Sequence, residues 1–370
     1  MQRDELAGWL RLALTWDVAG APARRLLATF GLPSSIFRQD HAALAQVVGS
    51  GAAAALASEP AEFGARLDET LAWLEKDPQH RQVLTLGDAD YPAALLAIED
   101  PPLMLYRLGQ LVPPPQRALA IVGSRNPTPQ GLVNARQFGH AFAEAGVTVV
   151  SGLALGIDGA AHQGALEAAA PGALATIAVV GTGLDRVYPK RHLELAHRIA
   201  ERGQILGEYP LGTPPLAQNF PRRNRLIAAL SQGTLVVEAA LQSGSLITAR
   251  LAAEQGKEVF AIPGSIHSPQ ARGCHALLRQ GAKLVENAQD VLEDLRFVLP
   301  GQAAAPPAEE PEGEKSPVLD ALGHDPVGLD ALIARTGIPA PLLQAQLLEL
   351  ELAGQVARLP GGLFQRISRA

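Results

Sequence analysis

Residues 119–125 read Leu-Ala-Ile-Val-Gly-Ser-Arg, an apolar run that ends in glycine, serine and arginine. Five more short runs of this β-branched kind follow, at residues 147–150, 176–180, 204–206, 234–237 and 258–262. Continuous apolarity suits strands that are buried on both faces, and the segments between the runs mostly have helical periodicity. Six such units predict an α/β fold with a doubly wound, mostly parallel sheet of the Rossmann type.

The residues before this sheet predict a small helical domain. From Leu6 to Leu74 the sequence is alanine-rich and has helical periodicity. Within it, residues 18–27 look like a helix-hairpin-helix unit of the SAM type, whose turn can offer backbone N–H groups to a phosphate. A plain helical turn is the alternative interpretation of the same residues.

The residues after the sheet predict a linker and a second small domain. Residues 301–316 are rich in Ala, Pro and Glu and have too little apolar surface to bury, so we expect a flexible linker. A helix from Leu329 to Arg335, a helix from Pro341 to Ala353 and two short strands joined through Gly361-Gly362 are typical of a winged helix. The predicted domains are therefore residues 1–80 and 81–300, the linker 301–316, and residues 317–370.

The second helix of this winged helix lacks the chemistry of a DNA-reading helix. It contains no lysine or arginine and carries Glu349 and Glu351, and only Gln344 and Gln346 offer amide groups. A helix in the major groove needs basic or amide groups for phosphates and base edges. We therefore expect this domain to serve protein contact or regulation and not to read duplex DNA.

The composition excludes several classes of protein. No apolar run approaches the roughly 18 residues of a membrane span, and the first residues are no signal peptide, so we expect a soluble, cytoplasmic protein without membrane contact. The one cysteine, Cys274, excludes an internal disulfide framework and a multi-cysteine metal site. Asp158 and His162 are interpreted as an ion pair or a helix cap, because two ligands alone do not define a metal site. We expect no metal and no cofactor.

The net charge of −6 argues at first against nucleic acid. Residues 118–300, however, carry sixteen lysines and arginines against fourteen aspartates and glutamates. Binding by counterion release depends on basic groups that face phosphates. Any nucleic-acid site must therefore be a local groove in this central segment rather than a basic surface.

Ligands of an open parallel sheet bind at the carboxyl ends of its strands, and several of these ends carry glycine beside polar groups. The first run ends in Gly123-Ser124-Arg125, the second leads into Ser151-Gly152, and the fifth leads to Ser243-Gly244-Ser245 at a predicted helix start, with Ser243 as its N-cap. Exposed N–H groups, hydroxyls and a guanidinium are groups that bind phosphate. The alternative is that the glycines only make tight turns.

Two common nucleotide sites are disfavoured by the same strand ends. No G-x-G-x-x-G opens the helix after the first run, and no acidic residue ends the second run to hold a ribose. The chain also lacks G-x-x-x-x-G-K-[ST], so hydrolysis of ATP by a P-loop is disfavoured.

Residues 219–227 read Asn-Phe-Pro-Arg-Arg-Asn-Arg-Leu-Ile and set one aromatic ring beside three arginines. A base stacks on such a ring, and arginine donates to phosphate oxygens. We therefore predict a site for a stacked base and a phosphate backbone at Asn219, Phe220, Arg222, Arg223, Asn224 and Arg225. The alternative is that these arginines solvate the first turn of a helix and Phe220 packs as a hydrophobic staple.

The phase of this helix separates the three arginines. Pro221 suits the first helical position. From that start, Arg222 and Arg225 share one face, which we expect to point to phosphate. Arg223 then points elsewhere, toward an acidic partner such as Glu238.

An enzyme on the same fold is the alternative to a binding protein. Thr234 with Glu238 faintly resembles the P-G-G-x-G-T-x-x-E motif of nucleotide phosphoribohydrolases of the lysine-decarboxylase-like group. The glutamate stands one residue too far along, and residues 231–233 lack the paired glycines. This alternative is a nucleotide-processing hydrolase that uses Glu238.

Together these motifs resemble the DNA-processing protein A family (DprA, also called Smf), the single-stranded DNA-binding recombination mediators of natural transformation. The resemblance runs, in order, through residues 123–125, 151–158, 183–189, 219–227, 238 with 243–248, and 259–264. It covers residues 85–295 densely and the two ends loosely. It implies an extended Rossmann-like core that dimerises, binds single-stranded DNA in a pocket at the strand ends and helps to load RecA recombinase onto it.

The resemblance also implies roles for individual residues. Arg125 would contact the DNA backbone and Phe220 would stack a base. Gly123, Ser124 and the arginines that follow Phe220 would complete the pocket. The family has no established catalytic activity, so we expect a binding protein and no catalytic residues.

Overall fold

The computed structural model describes residues 2–297, 316–323, 326–359 and 361–367. The predicted linker at 301–316 lies outside these ranges apart from its last residue, Ser316. In the part of the chain that is described, no helix is long and apolar enough to cross a membrane.

Six helices precede the sheet. They are α1 (Arg3–Leu14), α2 (Ala21–Phe30), α3 (Pro33–Ile36), α4 (His41–Val48), α5 (Ser50–Ala57) and α6 (Phe63–Lys76). Leu10 of α1 and Leu26 of α2 are fully buried and belong to the same hydrophobic cluster as Phe138 and Phe142 further along the chain. The N-terminal helices are present as predicted, whereas the boundary at residue 80 stays a prediction because one core spans it.

A nine-stranded sheet organises the centre of the chain. Its strands are β1 (Arg81–Thr85), β2 (Met104–Gly109), β3 (Ala118–Val122), β4 (Thr148–Ser151), β5 (Thr176–Val180), β6 (Gln204–Gly207), β7 (Gly233–Val236), β8 (Glu258–Ala261) and β9 (Lys283–Leu284). They lie in the order β1-β2-β6-β5-β4-β3-β7-β8-β9, and all neighbours from β6 to β9 are parallel. All six strands expected from the apolar runs are present, so the doubly wound, mostly parallel sheet is confirmed.

The helices between the strands bury both faces of this sheet. They are α7 (Ala93–Leu96), α8 (Pro129–Glu144), α9 (Ile157–Ala168), α10 (Leu193–Arg202), which follows a 3-10 turn at Lys190–His192, α11 (Asn219–Ala229), α12 (Ser245–Glu254), α13 (Arg272–Arg279) and α14 (Ala288–Asp294). Alternate residues of β3 belong to two different core clusters, Leu119 and Ile121 to one, Ala120 and Val122 to the other. This is the two-sided burial that a continuous apolar run predicts.

The winding of the chain reverses at β3. From β3 the chain proceeds outward through β4, β5 and β6, and it then returns to place β7, β8 and β9 on the other side. The neighbouring strands β3 and β7 therefore send their connections in opposite directions. Such a reversal leaves a crevice at the carboxyl ends of the two strands, where open α/β sheets bind ligands.

Residues 85–112, in which no strand was predicted, contribute strand β2. β2 pairs antiparallel with both β1 and β6, so these two strands extend the parallel sheet. The sequence pattern did not predict β2, because the charged side chain of Arg107 interrupts its apolar run. The structure buries this guanidinium, which donates to the backbone oxygen of Val112 at 3.1 Å and to the side chain of Gln82.

The C-terminal residues form a winged helix with its own core. Its elements are α15 (Pro317–Leu322), β10 (Val327–Gly328), α16 (Leu329–Thr336), α17 (Ala340–Leu352), β11 (Val356–Leu359) and β12 (Leu363–Arg366), with the strands in the order β10-β12-β11. Gly361 and Gly362 have φ angles of 86° and 73°, in the left-handed region that favours glycine, where the wing turns. The predicted winged helix is confirmed, and α15 and β10 are additions to it.

Candidate nucleic-acid interface

A cleft of about 620 Å³ opens at the reversal point, beyond the carboxyl ends of β3 and β7. Its walls come from the loops after these strands and from the first turns of α11 and α12. Of the predicted site residues, those that line it are Gly123, Ser124, Arg125, Phe220, Arg223, Asn224, Ser243, Gly244 and Ser245. The structure thus brings three separate sequence motifs to one concave site.

Arg223 is the buried cation of this cleft. Only 4% of the residue is exposed, and its Nη1 donates to the backbone oxygen of Val179 at 2.7 Å. Its Nε has no hydrogen-bond partner among the described residues. Burial lowers the pKa of Arg223 to about 10, with Asp158 opposing the shift and Arg125 adding to it. The guanidinium therefore stays charged at neutral pH.

Gly152 leaves the space that Arg223 occupies. A Cβ at position 152 would overlap the Arg223 guanidinium, and the Gly152 N–H donates to the Asp158 carboxylate at 3.1 Å. Ser151 is fully buried and donates to the backbone oxygen of Ile121 at 2.6 Å. These two predicted site residues therefore support the cleft from behind its wall and do not line it.

Two aromatic rings stand at one side of the cleft. The centroids of the Tyr188 and Phe220 rings lie 5.5 Å apart with the ring planes inclined by 37°. The guanidinium carbon of Arg125 lies 5.7 Å from the centroid of the Phe220 ring, within the range of a cation–π contact. Gly181 makes room for this arrangement, since a Cβ there would lie 3.1 Å from Cδ1 of Phe220.

The start of α12 forms another part of the cleft lining. The Oγ atoms of Ser243 and Ser245 lie 2.7 Å apart, and the side-chain amide of Asn224 donates to the backbone oxygen of Gly244 at 3.3 Å. The positive end of the α12 dipole points at this wall, which suits an anion. Ser243 was expected to cap α12, but the N-cap position is Gly244, whose φ and ψ are already helical.

Two of the predicted arginine orientations are wrong. Arg223, expected to turn away from the ligand toward Glu238, lines the cleft. Arg225, expected to face phosphate, turns away from the cleft and forms ion pairs with Glu208 and Asp100. Arg223 lies on the buried face of α11, together with Asn219, Leu226 and Ile227, whereas Arg225 lies outside that face.

Arg222 and Asn219 also differ from the expectation. Arg222 is exposed and lies outside the lining of the cleft. Asn219 is buried, and its side-chain amide donates to the backbone oxygen of Gly181 at 3.1 Å, so it fixes the start of α11. A contact between Arg222 and phosphate stays a prediction. The side-chain amide of Asn219 already hydrogen-bonds to the backbone and has a structural role at the start of α11.

Asp158 and His162 do not form the pair that their spacing suggested. The Nδ1 of His162 lies 2.7 Å from Oγ1 of Thr176, and burial lowers the pKa of His162 to about 3, which keeps it neutral. Asp158 accepts backbone N–H groups just before α9, while burial raises its pKa against the opposing charge of Arg223. Over the described ranges, no three His, Cys, Asp or Glu side chains come together as metal ligands.

Glu238, the residue on which the enzyme alternative depends, holds a helix start. Its carboxylate accepts the backbone N–H of Thr128 at 2.9 Å and the Thr128 hydroxyl at 2.6 Å, and Thr128 is the N-cap of α8. Burial raises the pKa of Glu238, with these hydrogen bonds opposing the shift. The side chain is not part of the cleft lining.

The sequence interpretation missed several polar residues of the cleft. Tyr188, Asn126, Gln242 and Gln270 all line it. Tyr188 could have been predicted from the sequence, because it belongs to the motif at residues 183–189, which follows a strand end. The other three sit in loops without a periodic signal, and only the folded chain brings them together.

Comparison with known proteins decides the family. Residues 82–296, more than half of the chain, match the family described as DNA recombination-mediator protein A. The chain belongs to this family. Residues 302–362 match the DprA winged helix domain, in agreement with the fold of α15 to β12.

Several relatives place the chain within this family. Protein Smf of Escherichia coli (strain K12) is 45% identical over 313 residues, which cover 82% of each chain. The X-ray structure of DNA processing protein A from Streptococcus pneumoniae is 36% identical, with a TM-score of 0.64 over 80% of this chain and 98% of that one. DNA processing protein A from Helicobacter pylori, whose structure concerns its single-stranded DNA binding mode, is 33% identical, with a TM-score of 0.52 over 59% and 97%.

Proposed function

We propose that this protein binds single-stranded DNA in the cleft at the ends of β3 and β7. The observation that carries the proposal is the combination of an accessible ring, Phe220, with the Arg125 guanidinium over it and the buried Arg223 guanidinium in the same cleft. A base on the ring is bound by stacking, and the phosphates beside it are bound by the two cations. The binding is then largely independent of sequence, because every base offers a face.

The charge distribution favours a local site of this kind over a basic surface. The whole chain is negative, at −6, whereas the cleft contains Arg125 and Arg223 and the positive end of α12. Among the described residues that line the cleft, the one carboxylate is that of Asp158, which accepts backbone N–H groups and is buried. We infer that the cleft holds a short stretch of a strand and that the acidic remainder of the surface disfavours non-specific contact.

The further parts of the proposal rest on the family. We infer that the chain acts as a cytoplasmic homodimer that helps to load RecA recombinase onto single strands during natural transformation and recombination. The Helicobacter pylori relative, described for its single-stranded DNA binding mode, supports the choice of ligand. We propose no catalytic role. Glu238, on which the alternative hydrolase function depends, hydrogen-bonds to Thr128 at the start of α8.

Arg125→Ala tests the binding proposal against the hydrolase. We expect weaker binding of a labelled oligothymidylate, and a log–log salt slope smaller by about 0.7 for each lost phosphate contact. Fluorescence anisotropy across a salt series measures both, with Arg3→Ala, an exposed arginine of α1, as the control. Unchanged affinity in Arg125→Ala together with lost turnover of a nucleoside monophosphate would favour the hydrolase instead.

Deletion of residues 317–370 tests the role of the winged helix. We expect duplex DNA affinity at moderate salt to stay within about twofold of the full chain, because α17 offers no cation to phosphate or base edges. Its exposed surface instead presents Leu342, Leu348 and Leu352 beside Glu349. Gel shifts with duplex and single-stranded probes make the measurement, and a clear loss of duplex affinity would contradict the expectation.

A further inference from the structure

Arg225 belongs to the motif that builds the cleft but makes its contacts elsewhere. Its Nη1 and Nη2 donate to the two carboxylate oxygens of Glu208 at 2.7 and 2.5 Å, and its Nε donates to the backbone oxygen of Asp100 at 3.1 Å. The side chains of Arg225 and Glu208 are only 15% and 14% exposed. A bidentate pair with this burial fixes geometry. It holds α11 against the end of β6 and against residue 100.

Asp100 joins this pair to the N-terminal helices. Arg24 of α2 donates from Nη1 to Oδ1 of Asp100 at 2.5 Å and from Nη2 to the backbone oxygen of Glu99 at 2.9 Å. The other carboxylate oxygen of Asp100 lies 3.6 Å from Nη2 of Arg225. One carboxylate therefore stands between a guanidinium of α2 and a guanidinium of α11.

A second N-terminal arginine reaches the loop between β6 and α11. Gly212 in this loop has a φ of 82°, and the Arg66 guanidinium of α6 occupies the place that a Cβ would take. Glu62 and Glu69 hold Arg66 in position. The same loop carries Pro215 and Ala217 of the cleft wall and leads directly to Phe220. The N-terminal helices thus contact this loop directly and are joined to α11 through Asp100.

We propose that the N-terminal helices hold the β6–α11 loop and α11 in the geometry that binds single-stranded DNA, with Arg24, Asp100 and Arg66 as positioning residues. The proposal rests on the proposed function of the cleft. None of the three residues lines the cleft, so each acts through the placement of Phe220 and Arg223. The N-terminal region then contributes to binding without touching the ligand.

Asp100→Asn separates positioning from simple electrostatics. The substitution removes a negative charge, so long-range electrostatics alone predicts equal or tighter binding of a polyanion. The positioning role instead predicts weaker binding, because the guanidinium groups of Arg24 and Arg225 lose the carboxylate that they share. We expect about tenfold weaker binding of an oligothymidylate, with an unchanged salt slope, since no phosphate contact is lost.

The matched control is Asp68→Asn. It removes a carboxylate in the same way, here from α6, where Asp68 pairs with Arg3. The side chains of Arg3 and Asp68 are 62% and 69% exposed. We expect the affinity of this variant to equal that of the wild type. Arg24→Lys retains a cation beside Asp100, and we expect it to recover part of the affinity that Arg24→Ala loses.

Amide hydrogen exchange of residues 208–226 gives a readout that does not depend on DNA. We expect faster exchange there in Asp100→Asn and wild-type exchange in the β3 to β5 strands, with thermal unfolding confirming that the full chain is folded. Equal or tighter binding by folded Asp100→Asn would overturn the positioning role, as would unchanged exchange in residues 208–226. A wild type that binds no single strand, with the exchange difference still present, would reject the proposed function alone.

Discussion

Replacing Phe220 with alanine should weaken the binding of single-stranded DNA by roughly 5- to 150-fold, which corresponds to the 1–3 kcal/mol of one stacked base. The ring is accessible in the cleft, and the Arg125 guanidinium stands over it. Truncation removes the stacking surface and leaves Arg125 without its cation–π partner. Because no charge is removed, the salt slope should stay that of the wild type. Fluorescence anisotropy with an oligothymidylate across a salt series measures both quantities.

Two further variants make this result specific to the ring. Phe220→Leu keeps an apolar side chain of similar volume but offers no flat face, so we expect most of the loss to remain. Trp16→Ala removes a large ring that is 84% exposed in the loop after α1, outside the cleft, and should bind as the wild type does. Unchanged affinity in Phe220→Ala, or an equal loss in Trp16→Ala, would contradict the stacking role.

The strands of this fold were predictable because each carries its information locally. A run such as residues 176–180 is apolar on both faces, and a strand buried on both faces needs that pattern whatever surrounds it. β2 was not predictable in the same way, because its run contains Arg107. The buried Arg107 guanidinium is stabilised by hydrogen-bond acceptors on Gln82 and Val112. These acceptors lie outside the run, so its periodicity could not predict them.

The residues of the cleft were predictable as a set, whereas their orientations were not. Gly123, Ser124 and Ser245 all follow strands of one parallel sheet, and that position alone predicts that they lie together. Which face of α11 is buried depends on how the helix packs, and the orientation of Arg225 depends on Glu208, in the preceding loop, and on Asp100, over a hundred residues earlier. Ion pairs between distant segments leave no local pattern, so only the fold could assign them.

Replacing Arg223 with methionine should abolish measurable single-strand binding and lower the free energy of unfolding by about 1–3 kcal/mol. The guanidinium is almost fully buried and donates to the backbone oxygen of Val179, which would lose its donor. Asp158, whose pKa is already raised by burial, would lose the cation that opposes this shift. Denaturant unfolding measures the stability, and binding is measured well below the unfolding temperature so that only folded protein is compared.

The stability of Arg223→Met should also depend on pH with a defined sign. Without the opposing charge, the pKa of Asp158 in the folded state rises further above its unfolded value, so the folded state binds more protons than the unfolded state. Stability then falls as the pH rises from the ordinary aspartate range, and it levels off above the raised pKa. Arg223→Met combined with Asp158→Asn removes the titrating group, so the double variant should lose this dependence and recover part of the stability. A single variant whose stability changed with pH no more than that of the wild type would show that Arg223 does not stabilise the Asp158 carboxylate.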